Sequence, residues 1–159
     1  MLKKWLMLSL LTVILDQASK LAIDHSMQLY QSISLVPFFN LTYVHNTGAA
    51  FSFLSDAGGW QRWFFAALAV IMSAILVRWL AKLEQHETLL AIALSLILGG
   101  AIGNLLDRVI YGYVIDFLDV FYGNSHFPAF NLADSAISVG AFLMFAETFG
   151  LFAQNKKSD

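Results

Sequence analysis

Four apolar runs, divided by polar or charged connections, constrain this chain more than anything else in its sequence. They cover roughly residues 5–23, 63–80, 89–106 and 133–152. Each holds close to the number of residues, about 20, that an α-helix needs to cross a hydrocarbon core. The composition agrees. Of 159 residues, 58% are hydrophobic and 13% charged, with a mean hydropathy of +0.68, whereas a soluble domain carries about 25% charged residues. The expected fold is a mainly α membrane protein, one domain over 1–159, with four transmembrane helices and a small extracytoplasmic β-sheet.

Lys3 and Lys4 before an apolar stretch look like the start of a secretory signal. Asp16 and Lys20 follow, however, and no A-x-A-like cleavage site does, so the segment reads as a retained first helix. Orientation follows from Lys and Arg. The N-terminus (Lys3, Lys4), the second connection (Arg78, Lys82) and the C-terminus (Lys156, Lys157) should face the cytoplasm. The outer segments, 24–61 and 108–132, hold no such residue between Asp24 and Gln61 and Arg108 alone in the second. Within them, Ser32–Leu35 and Phe39–Tyr43 alternate as strands do, Asn46-Thr47-Gly48 reads as a turn, and Tyr113–Leu118 is a further strand candidate. The aromatics Phe38, Phe39, Tyr43, Phe51, Phe53 and Trp60 suit a membrane interface.

Several chemistries are excluded. With no cysteine there is no disulfide, thiolate metal site or cysteine nucleophile. His25, His45, His86 and His126 do not fall at helical ligand spacing, so no metal is expected. A net charge of −2 offers no surface for nucleic acid.

Charged groups in apolar runs are costly and usually serve function or pair with one another. Asp16 and Lys20 stand four apart on the first helix, which suits an ion pair with Lys20 snorkelling to the headgroups, or a place at a site. Gly99, Gly100 and Gly103 precede Asn104, Asp107 and Arg108, and Ser95, Gly99 and Gly103 form a small-residue stripe for close helix packing. The polar residues close the helix either as an interfacial cap or as part of a site. Asp116 lies inside Val114-Ile115-Asp116-Phe117-Leu118, where nothing local solvates it. In a strand, Asp119 would point to the opposite face and belong to a different cluster. Asp134 follows Asn131 at the head of the fourth helix, where capping and catalysis are both open.

Two carboxylates sharing a site cannot both ionise readily. One then acts as base toward water attacking a peptide carbonyl, while the other donates a proton. Such hydrolysis needs no cofactor. A serine mechanism through Ser19 and Lys20 is disfavoured, because helical neighbours point about 100° apart.

Five segments carry a resemblance: Asp16-Gln17-x-x-Lys20, Asn46-Thr47-Gly48-Ala49-Ala50-Phe51, Gly99-Gly100-Ala101-x-Gly103-Asn104-x-x-Asp107-Arg108, Val114-Ile115-Asp116-Phe117 and Phe130-Asn131-x-Ala133-Asp134-Ser135. In this order, over nearly the full length, the chain resembles lipoprotein signal peptidase (signal peptidase II). The resemblance implies a bacterial inner-membrane aspartyl protease that removes the signal peptide of diacylglyceryl-modified prolipoproteins just before the lipidated cysteine. It implies Asp116 and Asp134 as catalytic dyad. Asp16, Lys20, Asn46, Gly48, Asn104, Asp107, Arg108 and Asn131 would bind substrate or shape the site. It also implies inhibition by the cyclic peptide globomycin. Membrane lipids would surround the chain, which is expected to be a monomer. The competing readings are a proton-coupled transporter or channel subunit, relaying protons through Asp16 and Asp107, and a structural subunit whose polar residues only hold helices together.

Overall fold

A computed structural model describes residues 1–48 and 59–151. The chain runs α1 (Leu2–Ser26), β1 (Ser32–Val36), β2 (Phe39–Asn46), α2 (Trp60–Leu80), α3 (Thr88–Ile110), β3 (Val114–Tyr122), β4 (Ser125–His126) and α4 (Leu132–Thr148). It is mainly helical, with one antiparallel sheet in the order β1-β2-β3-β4. Residues Ala49, Ala50, Phe51 and Phe53, and the C-terminal Lys156 and Lys157, lie outside the described residues.

Among the described residues, α1, α2 and α3 are long and apolar enough to cross a membrane. Their outer faces are apolar: Met7, Leu10 and Ile14 on α1 and Trp63, Phe64 and Ile71 on α2 are exposed. That pattern suits lipid as solvent and would aggregate in water. The fourth helix is shorter than the expected 133–152, ending after 17 residues at Thr148. Gly150 takes a left-handed φ of 65°, Gly150 N donates to Glu147 O at 3.0 Å, and Leu151 N donates to Ala146 O at 2.9 Å. This glycine-centred Schellman stop ends the helix within an apolar run that hydropathy alone would continue.

The helix α3 is the centre of the bundle, touching α1, α2 and α4. Small residues let the others approach. Ser9 Oγ donates to Ser95 O at 2.9 Å, and a Cβ on Gly99 would lie 2.8 Å from Ser9 O. A Cβ on Gly103 would lie 2.5 Å from Asp16 Oδ2, and one on Gly100 would collide with the Ala133 carbonyl. The stripe therefore seats α1 on one side while Gly100 admits the head of α4. At the opposite end Trp5, Leu76, Leu80, Leu83, Leu94 and Leu98 form an apolar core.

The sheet stands at the ends of α1, α3 and α4. Ile23 of α1 and Met27, just past its end, pack against Tyr43, Ile115 and Phe117. Pairing of β2 with β3 sets Val44 opposite Asp116 and Asn46 opposite Val114. Asn46 and Asp116 thus become diagonal neighbours on one face. The return from β4 to α4 lies along β3, with Phe130 N donating to Leu118 O at 3.0 Å and Leu118 N to Phe130 O at 2.8 Å.

Candidate active site

Asp16 and Lys20 form the expected (i, i+4) ion pair, 2.8 Å long, but Lys20 does not reach the headgroups. Its side chain is 2% exposed and turns inward. There Nζ also meets Asp107 Oδ2 at 2.9 Å and donates to Asn104 Oδ1 at 3.0 Å. Snorkelling loses because two carboxylates and an amide oxygen from α3 replace its water. The remaining acceptors are also filled. Asp16 Oδ1 receives Ala133 N at 2.9 Å, Asp107 Oδ2 receives Ile115 N at 3.1 Å, and Asp107 Oδ1 receives Gln17 Nε2 at 2.8 Å. One ammonium thereby ties α1 and α3 to the head of α4 and the start of β3. Ser19 Oγ instead donates to Asp16 O at 2.7 Å, away from any serine–lysine pairing.

The second layer consists of asparagines, and their orientations follow from their partners. Asn104 Oδ1 accepts from Lys20, so its Nδ2 is a donor and reaches Asp134 Oδ1 at 2.7 Å. Asn131 Oδ1 accepts Asp134 N at 2.9 Å, while Asn131 N donates to Asp134 Oδ2 at 3.3 Å, a reciprocal capping box at the start of α4. Asn131 Nδ2 then donates to Asp116 Oδ1 at 2.7 Å and Asn104 Oδ1 at 3.1 Å. From β2, Asn46 Nδ2 donates to Asp116 Oδ2 at 2.9 Å, while its Oδ1 accepts Gly48 N at 3.0 Å in the expected turn. Asp134 is thus a helix cap and a site residue at once.

Asp116 and Asp134 line one cavity of about 590 Å³. Asn46, Asn104 and Arg108 give it a polar end, and Val114, Phe127, Phe130, Ile137 and Val139 are among its apolar walls. Among the described residues Arg108 pairs with no carboxylate. Its guanidinium donates to Gly48 O at 2.9 Å and Asn104 O at 3.3 Å and lies over the Phe65 ring. Burial, and after it the Asp134 charge, pushes the Asp116 carboxyl up to about 7, against the bonds from Asn46 and Asn131 and the Lys20 charge. Asp119 behaves oppositely. Burial raises it, but bonds from His126, Asn40 and Thr42 outweigh that and leave it below the ordinary range. It belongs to a separate cluster on the far side of β3.

A family model described as signal peptidase (SPase) II matches residues 8–150. The chain belongs to the signal peptidase II family. A lipoprotein signal peptidase of Pseudoalteromonas translucida is 58% identical over 91% of this chain and 87% of its own. One from Pseudomonas putida is 54% identical over 98% and 90%. A solved bacterial membrane enzyme, determined by the in meso method at 2.3 Å, superposes with a TM-score of 0.84 at 32% identity, covering 99% of this chain and 94% of that one.

In this signal peptidase II family member, all ten residues singled out by sequence fall in or beside the two polar layers. Sequence reasoning missed Gln17 as a partner of Asp107, although it sits inside a quoted motif. It also missed Phe127 and Phe130 as cavity walls, although Phe130 opens a quoted motif, and the linked Asp24, Tyr43 and His45. Tyr43 Oη donates to Asp24, and His45 Nε2 lies 2.8 Å from that hydroxyl.

Proposed function

We propose that this chain is an aspartic endopeptidase of the bacterial cytoplasmic membrane. It cleaves the signal peptide from diacylglyceryl-modified prolipoproteins just before the lipidated cysteine. In this reading the chain crosses four times, both termini are cytoplasmic, and the site faces the outer-leaflet surface, where a lipid-anchored substrate is held.

The observation that carries the reading is a pair of carboxylates lining one cavity, bridged by asparagine amides, with no ion-pair partner among the described residues. Below a pH of about 7 the pair retains one proton, which belongs to the pair rather than to either residue. The ionised carboxylate takes a proton from water as its oxygen attacks the scissile carbonyl. The protonated one donates to that carbonyl oxygen. The proton taken from water then passes to the leaving amine as the C–N bond breaks, and a hydroxyl proton of the diol returns to the carboxylate that gave up its own. The asparagines keep both carboxylates aimed while adding no charge that would fix them as anions. The apolar walls suit the signal peptide and the lipid chains.

The test is cleavage of a diacylglyceryl prolipoprotein by purified Asp116→Asn and Asp134→Asn, with globomycin on the parent. Both variants should fold and lose turnover, and globomycin should inhibit the parent. Near-parent turnover in either variant would refute the dyad.

A further inference from the structure

A second cavity, about 330 Å³, adjoins the first and shares Asn46, Asp116, Pro128 and Ala129 with it. Tyr30, Val44 and His45 complete its walls. No step described above uses Tyr30 or His45.

Among the described residues Tyr30 alone, apart from glycines, has a positive φ, 67°. A side chain with a Cβ is strained there, and such strain persists only where the surroundings impose it. Here Gln31 N donates to Gln28 O at 2.8 Å, Gln28 N donates to Gln31 Oε1 at 2.8 Å, and Tyr30 N donates to Tyr43 O at 2.8 Å. The ring so placed contributes little to packing, since the residue is 73% exposed. A strained backbone that presents an exposed aromatic beside Asp116 is poorly explained by stability.

His45 is fixed as well. Its ring stacks on Tyr113 at 3.7 Å between centroids. The single Tyr43 hydroxyl proton goes to Asp24, so His45 must donate through Nε2. In the neutral imidazole, Nδ1 is then an acceptor. Burial favours that neutral form, lowering the His45 pKa against the pull of Asp24. The His45 ring lies on the Ile115 face of the sheet, opposite Asp116, so it is Tyr30 that offers the small cavity an exposed aromatic, which suits the side chains of an extended peptide. The large cavity extends along Ile137, Ser138 and Val139 of α4 and is apolar. A peptide bond at Asp116 has the apolar cavity on one side and the sheet cavity on the other.

We infer that Tyr30 marks a subsite for the first residues of the mature polypeptide beyond the lipidated cysteine and sets its specificity. The inference rests on the peptidase reading above.

The test uses the full chain and two diacylglyceryl prolipoproteins, one with a long mature segment and one ending at the lipidated cysteine. Tyr30→Gly removes the ring and relieves the strain. It should cut the ratio of kcat/KM, long over short, by about tenfold, mainly through KM, with no fall in thermal midpoint. Tyr30→Ser should give the same change in ratio, and Tyr30→Phe should keep the ratio near the parent's. An unchanged ratio in Tyr30→Gly and Tyr30→Ser, or equal losses on both substrates, would overturn the subsite. Asp116→Asn in the same assay addresses the underlying reading separately, since it should abolish cleavage of both substrates whatever the ratio does.

Discussion

Two pairs of aspartates lie side by side, and they are treated differently. Asp16 and Asp107 share the Lys20 ammonium and accept backbone N–H groups of Ala133 and Ile115. Asp116 and Asp134 receive amide hydrogens from asparagines and the capping box, with no ion pair among the described residues, and open on a cavity. The first pair shares one countercharge and is closed. The second is held in place but left with its charge uncompensated. Burial alone does not mark a carboxylate for chemistry. A buried carboxylate without a countercharge, facing space a substrate could enter, has a proton to exchange.

The contrast breaks most sharply by removing charge from the second pair. Asp116→Asn and Asp134→Asn should each reduce prolipoprotein cleavage by about 10²–10⁴-fold while the protein stays folded in detergent. A loss below about tenfold would erase the distinction. In the first pair the expected loss is of stability. Lys20→Met strands two buried carboxylates and should cost about 3–5 kcal/mol in detergent unfolding, part of which Lys20→Met/Asp107→Asn should restore. A Lys20→Met protein as stable as the parent would show that the ammonium does not compensate them.

pH separates the pairs further. From about 4 to about 7 the folded chain retains a proton at Asp116 that the unfolded chain has released, so stability falls as pH rises through that window and is flat above it. Asp116→Asn lacks this penalty. Its stability relative to the parent should grow across the window, by on the order of a few kcal/mol, and cleavage by the parent should decline as pH rises through about 7. A constant difference in stability from pH 4 to 8 would count against an uncompensated Asp116. The smallest effect is steric. Gly103→Ala places a methyl 2.5 Å from Asp16 Oδ2 and should cost about 1–3 kcal/mol by thermal unfolding. No loss would mean that Asp16 can shift without disturbing Lys20.

Much of the helical scaffold is legible because hydropathy and helix length are local properties. The strands around Phe39 and Val114 are legible for the same reason, through alternation. The end of α4 is not, since one left-handed glycine outweighs the apolar residues around it. Spacing pairs Asp16 with Lys20, but whether the lysine turns outward or inward depends on Asp107 and Asn104, 84 or more positions away. Likewise Asn131 announces a helix cap by its position, but its bridge from Asp134 to Asp116 exists only once β3 has packed beside α4. The separation of Asp116 from Asp119 follows from strand alternation. The anchoring of Asp119 by His126 and Asn40 depends on cross-strand register, which the sequence leaves open.

The Lys20 cluster draws on α1, α3, the head of α4 and the start of β3, elements that leave the ribosome at different times. The aspartate at the head of α4 cannot reach Asn104, nor Asn131 reach Asp116, until the last helix has packed against α3 and β3. A growing or half-inserted chain therefore holds its acidic groups apart and has no peptidase site. Hydrolytic competence is a property of the finished assembly, and the membrane is spared a protease that works before it is built.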